Sequence, residues 1–70
     1  MYFTAIKKSK HYVEEHEQDV PWSEVVALIL RSMKNMRKKG NKIEIENKRY
    51  YALCEIIDSE LYVINAKRKM

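Results

Sequence analysis

The 70-residue sequence has one cysteine, one proline and one glycine, and the scarcity of cysteine and glycine excludes several kinds of site. A single cysteine, Cys54, excludes an intramolecular disulfide and a zinc site built on several thiolates. Because Cys54 lies in an apolar stretch, we expect a small buried thiol in a reducing, cytoplasmic compartment. With only one glycine, the chain has no glycine-rich loop of the kind that cradles phosphate.

Long hydrophobic runs are also missing. The longest uninterrupted apolar run is Val25 to Leu30, far short of the roughly 20 residues that cross a bilayer. Residues 1–8 lack the order of charged, apolar and small-residue regions that marks a secretory signal peptide. The sequence therefore predicts neither a membrane span nor a signal peptide, and we expect no membrane partner.

Apolar residues make up 46% of the chain and charged residues 34%, a mixture typical of a folded globular protein. Residues 1–70 are long enough for one domain, which would bury only about 60% of the surface of the unfolded chain. Any active site is therefore expected on the surface or in a shallow groove. The net charge of +4 permits nucleic-acid binding without requiring it.

Two helices are predicted after a short first strand over residues 2–6. Ser9 suits the N-cap of a polar helix over 9–17, and Pro21 suits the first turn of a second helix. Apolar side chains recur in that second helix at spacings of three and four, and Gly40 is its expected end. The apolar face of this helix comprises Trp22, Val25, Val26, Ile29, Leu30, Met33 and Met36. Of these residues, Trp22, Ile29 and Met33 should be largely buried against the sheet.

Three strands are predicted in the second half, over residues 42–46, 49–57 and 60–67. The turns at 47–48 and 58–59 are too short for crossover connections, which indicates an antiparallel meander. The predicted fold is α+β, with two helices packed on a four-stranded, mainly antiparallel sheet in the order β-α-α-β-β-β.

His11 and His16 are the two histidines of the chain. Five residues apart on one helix, they should point about 140° apart, and we expect neither a shared metal ion nor a cofactor. His11 is the candidate proton-transfer group, and a solvent-facing or capping histidine is the plainer interpretation. The carboxylates form no recognisable acid–base constellation; Glu44 and Glu46 are expected to pair with lysines on the wet face of the sheet.

Cations are the strongest polar feature. They cluster at the end of the second helix and at the C-terminus, and Lys48 and Arg49 stand at a hairpin between them. Tyr50, Tyr51 and Tyr62 can stack on bases, although such residues are more often core or interface tyrosines. The candidate RNA-binding residues are Arg31, Lys34, Arg37, Lys38, Lys67 and Arg68, and the plainer interpretation is a solvated helix end.

The order of elements resembles the RelE-like toxin superfamily. Ser9-Lys10-His11, followed by Glu24-Val25-Val26, is also similar to a family of small domains grouped with those toxins. The resemblance implies a ribonuclease neutralised by an antitoxin protein, with His11 at a motif position and basic residues near Lys67 and Arg68. The arginine that usually follows four residues after the histidine is Glu15 here, a departure that counts against cleavage.

Two hypotheses follow. The first is a domain that binds or cleaves RNA, with His11 transferring the proton and the cations binding phosphate. The alternative is a non-enzymatic interaction module, a homodimer at micromolar concentration formed through the sheet face away from the helices. Salt-dependent RNA binding would favour the first, and concentration-dependent association without RNA binding would favour the second.

Overall fold

The computed structural model describes residues 3–69, which form two helices and a mixed sheet of five strands. The helices are α1 (Lys10–Glu15) and α2 (Trp22–Arg31), and a 3₁₀ turn spans Met33–Asn35. The strands are β1 (Ala5–Lys8), β2 (Arg37–Lys39), β3 (Lys42–Glu46), β4 (Tyr50–Ile57) and β5 (Glu60–Arg68). The predicted α+β class and the two helices are confirmed, whereas the sheet has one strand more than predicted.

The sheet order is β1-β5-β4-β3-β2. The pairs β3–β4 and β4–β5 are antiparallel, as the short turns predicted, and β2 pairs antiparallel with β3. β1 instead lies parallel to β5, so that the first and last strands of the chain are adjacent. The predicted strand over 42–46 is β3, and the other two C-terminal strands match to within a residue. The first strand, predicted over 2–6, spans Ala5–Lys8, so the prediction is right only at residues 5–6; Tyr2 lies outside the described residues.

The second helix is shorter than predicted. It ends at Arg31, and residues 37–39, expected to be its basic last turn, form strand β2 on the sheet edge. Gly40 lies in the hairpin between β2 and β3, where its φ of +65° suits glycine, and not at a helix end. The hairpin places Arg37 and Lys39 beside Glu44, with Nε–Oε1 and Nζ–Oε1 distances of 3.6 and 3.3 Å. These contacts within the β2–β3 hairpin override the local helical pattern.

Both helices cover one face of the sheet. Ser9 caps α1 as predicted, since its Oγ accepts the Tyr12 N–H at 3.1 Å. Tyr12 is fully buried and donates its hydroxyl to the Val20 carbonyl at 2.6 Å. The core combines Tyr12 and Val20, from the loop before α2, with apolar residues of α2, β3, β4 and β5: Val25, Leu28, Ile29, Ile43, Ile45, Ala52, Cys54, Leu61, Val63 and Ala66.

The predicted apolar face of α2 is the core face only in part, since Leu30, expected on it, is 58% exposed. Ile29 is fully buried, and Trp22 is partly buried against the ring of Tyr12, with ring centroids 5.6 Å apart. Met33 is 42% exposed, because it follows the end of the helix and leaves the helical period. Pro21 is the N-cap residue instead of part of the first turn. Among residues 3–69, no helix is long and apolar enough to cross a membrane.

Candidate nucleic-acid interface and histidine pair

Strand order brings cations from distant parts of the sequence to one end of the sheet. Lys67 on β5 lies opposite Tyr51 on β4, which lies opposite Glu46 on β3. The Lys67 ammonium lies 5.3 Å from the centre of the Tyr51 ring, within the range of a cation–π contact. A shallow groove, the first groove, is lined here by Glu46, Tyr51, Lys67, Arg68 and Lys69.

A second groove lies where the same end of the sheet meets helix α2. It is lined by Glu24, Ala27, Leu28, Arg31, Asn47, Arg49 and Tyr50. Arg68 joins the two grooves, because it lines the first and its guanidinium carbon lies 5.7 Å from the centre of the Tyr50 ring. We call the cations of the two grooves, Arg31, Arg49, Lys67, Arg68 and Lys69, the basic end.

Most of the basic end is free of carboxylate partners. Within residues 3–69, only Lys69 of this group forms an ion pair, at 3.7 Å from Glu46. Arg68 donates its Nε to the carbonyl of Asp19 at 3.0 Å, a contact that positions the guanidinium without neutralising it. Net positive charge beside two tyrosine rings suits a ligand that carries both phosphates and bases.

The structure brings together only part of the predicted RNA site. Arg31, Lys67 and Arg68 line the two grooves. Arg37 lines neither groove, and its guanidinium contacts Glu44 and Glu46 at 3.6 and 3.5 Å. In the described part of the chain, no contact places Lys34 or Lys38 in either groove.

Two features of the grooves were not predicted from the sequence: the position of Arg49 and the contact between Asp19 and Arg68. Arg49 enters the second groove because Asn47 shapes its turn, accepting the backbone N–H groups of Arg49 and Tyr50 at 2.8 and 2.7 Å. A side-chain oxygen of Asn that accepts from the backbone two residues on is a recognised turn signal, so this loop could be anticipated locally. The contact between Asp19 and Arg68, 49 residues apart, has no local signal.

The two histidines are in contact, so the predicted divergence of their side chains is wrong. Helix α1 ends at Glu15, and His16 is its C-cap residue, with φ of −128° outside the helical range. The Nε2 atoms of His11 and His16 lie 3.2 Å apart. Their ring centroids are 5.0 Å apart and the ring planes are inclined by 60°.

One turn links the histidine pair to the basic end. The His16 carbonyl accepts the Asp19 N–H at 3.0 Å, and the Asp19 carbonyl accepts from Arg68, also at 3.0 Å. The histidine pair and Arg68, which forms no ion pair within residues 3–69, therefore contact the same short loop. This is the link between the candidate proton-transfer group and the candidate phosphate site.

Comparisons with protein-family models, curated proteins and solved structures found no match to this chain. The resemblance to RelE-like toxins remains a prediction, and function is inferred from the chain's own geometry.

Cys54, predicted to be a buried thiol, is fully buried. Burial in the apolar core raises the pKa of its thiol to about 12. The sulfur is therefore protonated at neutral pH and acts as a small apolar core group, not as a nucleophile.

The open face of the sheet, the face away from the helices, carries two tyrosine–carboxylate pairs. These are Tyr51–Glu44 and Tyr62–Glu60, with oxygen–oxygen distances of 2.6 and 3.1 Å. The Tyr51 hydrogen bond, followed by that of Lys39, lowers the pKa of Glu44 below its ordinary value. Burial and the bond to Glu44 raise the pKa of Tyr51 to about 12. The predicted partnering of Glu44 and Glu46 by cations is confirmed, with Arg37 taking part beside the lysines.

Tyr51→Phe is expected to raise the pKa of Glu44 toward its ordinary value, because the carboxylate loses its main hydrogen-bond donor. A carboxyl whose pKa is lowered in the folded state stabilises that state at neutral pH, and the effect is lost as the pH falls through the folded-state pKa. Side-chain carbon NMR of Glu44 against pH measures the change. Tyr62→Phe is the matched control, which should raise the pKa of Glu60 and leave Glu44 unchanged; an unmoved Glu44 in Tyr51→Phe would contradict the assignment.

Proposed function

We propose that this chain binds single-stranded RNA at the basic end and cleaves it with His11 as the proton-transfer group. The observation that supports binding is the alternation of cations and rings, with Lys67 over Tyr51 and Arg68 over Tyr50. Single-stranded nucleic acids bind where cations follow the backbone and aromatic side chains stack on bases. Since stacking tolerates every base, we expect weak sequence preference.

RNA is favoured over DNA by the chemistry available at the histidine pair. A neutral imidazole can take the proton of a 2′-hydroxyl. The 2′-oxygen then forms a bond to the adjacent phosphorus, and the bond from phosphorus to the 5′-oxygen breaks. The departing 5′-oxygen takes a proton from an acid or from water. His11 is exposed at the start of α1 and is linked through His16 and Asp19 to Arg68. In this proposal, Arg68 offsets the negative charge that develops on the phosphate, and Lys67, which lies over Tyr51 on the open face of the sheet, binds a neighbouring phosphate. An antitoxin that covers the basic end would fit the same proposal.

The binding half of the proposal predicts a steep salt dependence. Each neutralised phosphate contributes about −0.7 to the slope of log affinity against log salt for single strands, so Lys67→Ala with Arg68→Ala should flatten the slope by about 1.4. A filter-binding titration on unstructured RNA from low to physiological salt measures it. The matched control, Lys38→Ala with Lys42→Ala, removes the same charge from the β2–β3 hairpin and should change the slope far less.

The alternative function gives a different outcome in the same experiments. The open sheet face carries the half-buried Leu53 and Ile64, and Ile57 is 44% exposed at the end of β4. The side-chain oxygen of Asn65 is buried there without a hydrogen-bond partner within residues 3–69. No RNA binding at low salt, together with concentration-dependent sedimentation, would replace the RNA proposal with a homodimeric interaction module.

A further inference from the structure

The histidine pair has the geometry of a chelate. Metal–imidazole bonds are about 2.0–2.1 Å long, so two Nε2 atoms 3.2 Å apart would subtend about 103° at a shared ion, close to the tetrahedral angle. A ring centroid lies about 1.15 Å behind Nε2, so rings aimed at one such ion would have centroids about 5.0 Å apart. The observed separation is 5.0 Å, whereas rings aligned along a straight N–H···N bond would stand about 5.5 Å apart.

The backbone holds His16 in this position. Its N–H donates to the Tyr12 carbonyl at 2.9 Å, and its carbonyl accepts from Asp19 and Val20, each at 3.0 Å. His11 lies on the capped helix α1, one turn before His16. The backbone positions from which the two rings extend are therefore set by the fold around Tyr12, which is itself fully buried.

We propose that His11 and His16 together bind one divalent transition-metal ion through their Nε2 atoms. Two neutral imidazoles favour Zn²⁺, Cu²⁺ or Ni²⁺ over the oxygen-preferring Mg²⁺ and Ca²⁺. Within residues 3–69, no cluster of three or more His, Cys, Asp or Glu side chains could hold a metal. The chain thus supplies two ligands here, and water or an exchangeable ligand completes the coordination.

The proposal does not depend on RNA binding. A bound ion would take the Nε2 lone pair that proton transfer by His11 requires, so the metal-bound and catalytic states would exclude each other. The thiol of Cys54 does not compete for the ion, because it is buried and protonated.

Zinc titration of the full chain, followed by proton NMR of the imidazole signals, tests the proposal, since the sequence has only two histidines. We expect both signals to shift together and saturate at one equivalent of Zn²⁺, with no shift from millimolar Mg²⁺. His11→Gln and His16→Gln should each weaken zinc binding at least about tenfold. Removing a group that only hydrogen-bonds to a metal ligand already costs about that much affinity, and these substitutions remove a ligand itself. Lys10→Gln, which keeps both imidazoles, should leave the affinity unchanged.

Circular dichroism before titration confirms that each variant is folded, as expected for substitutions that keep the backbone bonds of His16. Two signals that shift with separate affinities, or single variants that bind zinc as tightly as the natural chain, would show two independent histidines and overturn the proposal. The proposal would also be overturned if neither signal shifted below about 1 mM Zn²⁺, because a site with two histidine ligands should bind zinc well below that concentration.

Discussion

Ile29→Ala is expected to lower the free energy of unfolding by about 2–5 kcal/mol, because it leaves a cavity in the core as well as removing buried apolar surface. Ile29 is fully buried on α2, which packs on the sheet face that presents Ile43 and Ile45. A chain of this length has a total stability of only about 4–10 kcal/mol at typical values per residue. The substitution should therefore remove a large share of the stability.

The next residue provides the control. Leu30 is 58% exposed on the same helix, so Leu30→Ala should change the free energy of unfolding by no more than about 0.5 kcal/mol. Urea unfolding followed by circular dichroism measures both variants, and the fluorescence of Trp22 gives an independent probe. A loss below about 1 kcal/mol for Ile29→Ala would mean that this side of α2 is not its core side.

His11→Ala should slow RNA cleavage by about 10²–10⁴-fold while leaving RNA affinity nearly unchanged, because a proton-transfer group acts mainly in the transition state. This expectation rests on the proposed function. His11 is exposed and belongs to neither groove, so its loss removes no phosphate contact from the basic end. Cleavage of unstructured and ribosome-bound RNA, measured at saturating protein, separates the rate from the affinity.

The cleavage assay requires a chelator, since zinc at the histidine pair would block the same nitrogen. Glu14→Gln, an exposed change three residues along α1, is the matched control and should cleave at the natural rate. Cleavage by His11→Ala at the natural rate would remove His11 from the mechanism. Salt-dependent binding without any cleavage would leave a non-catalytic RNA-binding domain, in agreement with the departure at Glu15.

Features set by short stretches of residues could be predicted from the sequence. The alternation of Ile43 and Ile45 with glutamates gives β3, and the apolar period from Trp22 to Leu30 gives α2. Asp58 and Ser59 form the turn between β4 and β5, both with positive φ as a tight two-residue hairpin requires. These signals were sufficient for the α+β class, the antiparallel meander and the burial of Cys54.

The candidate site was decided by tertiary structure. Residues 37–39 are a strand because Glu44 and the β3 backbone lie beside them, although their local pattern continues a helix. His16 meets His11 because helix α1 stops one residue earlier, where the chain turns to bury Val20. Arg31 and Arg68 line adjoining grooves because β5 returns beside β4, whose first residue, Tyr50, lies in the groove against α2. Local periodicity carries no information about such contacts, because strand register and packing between distant segments determine them.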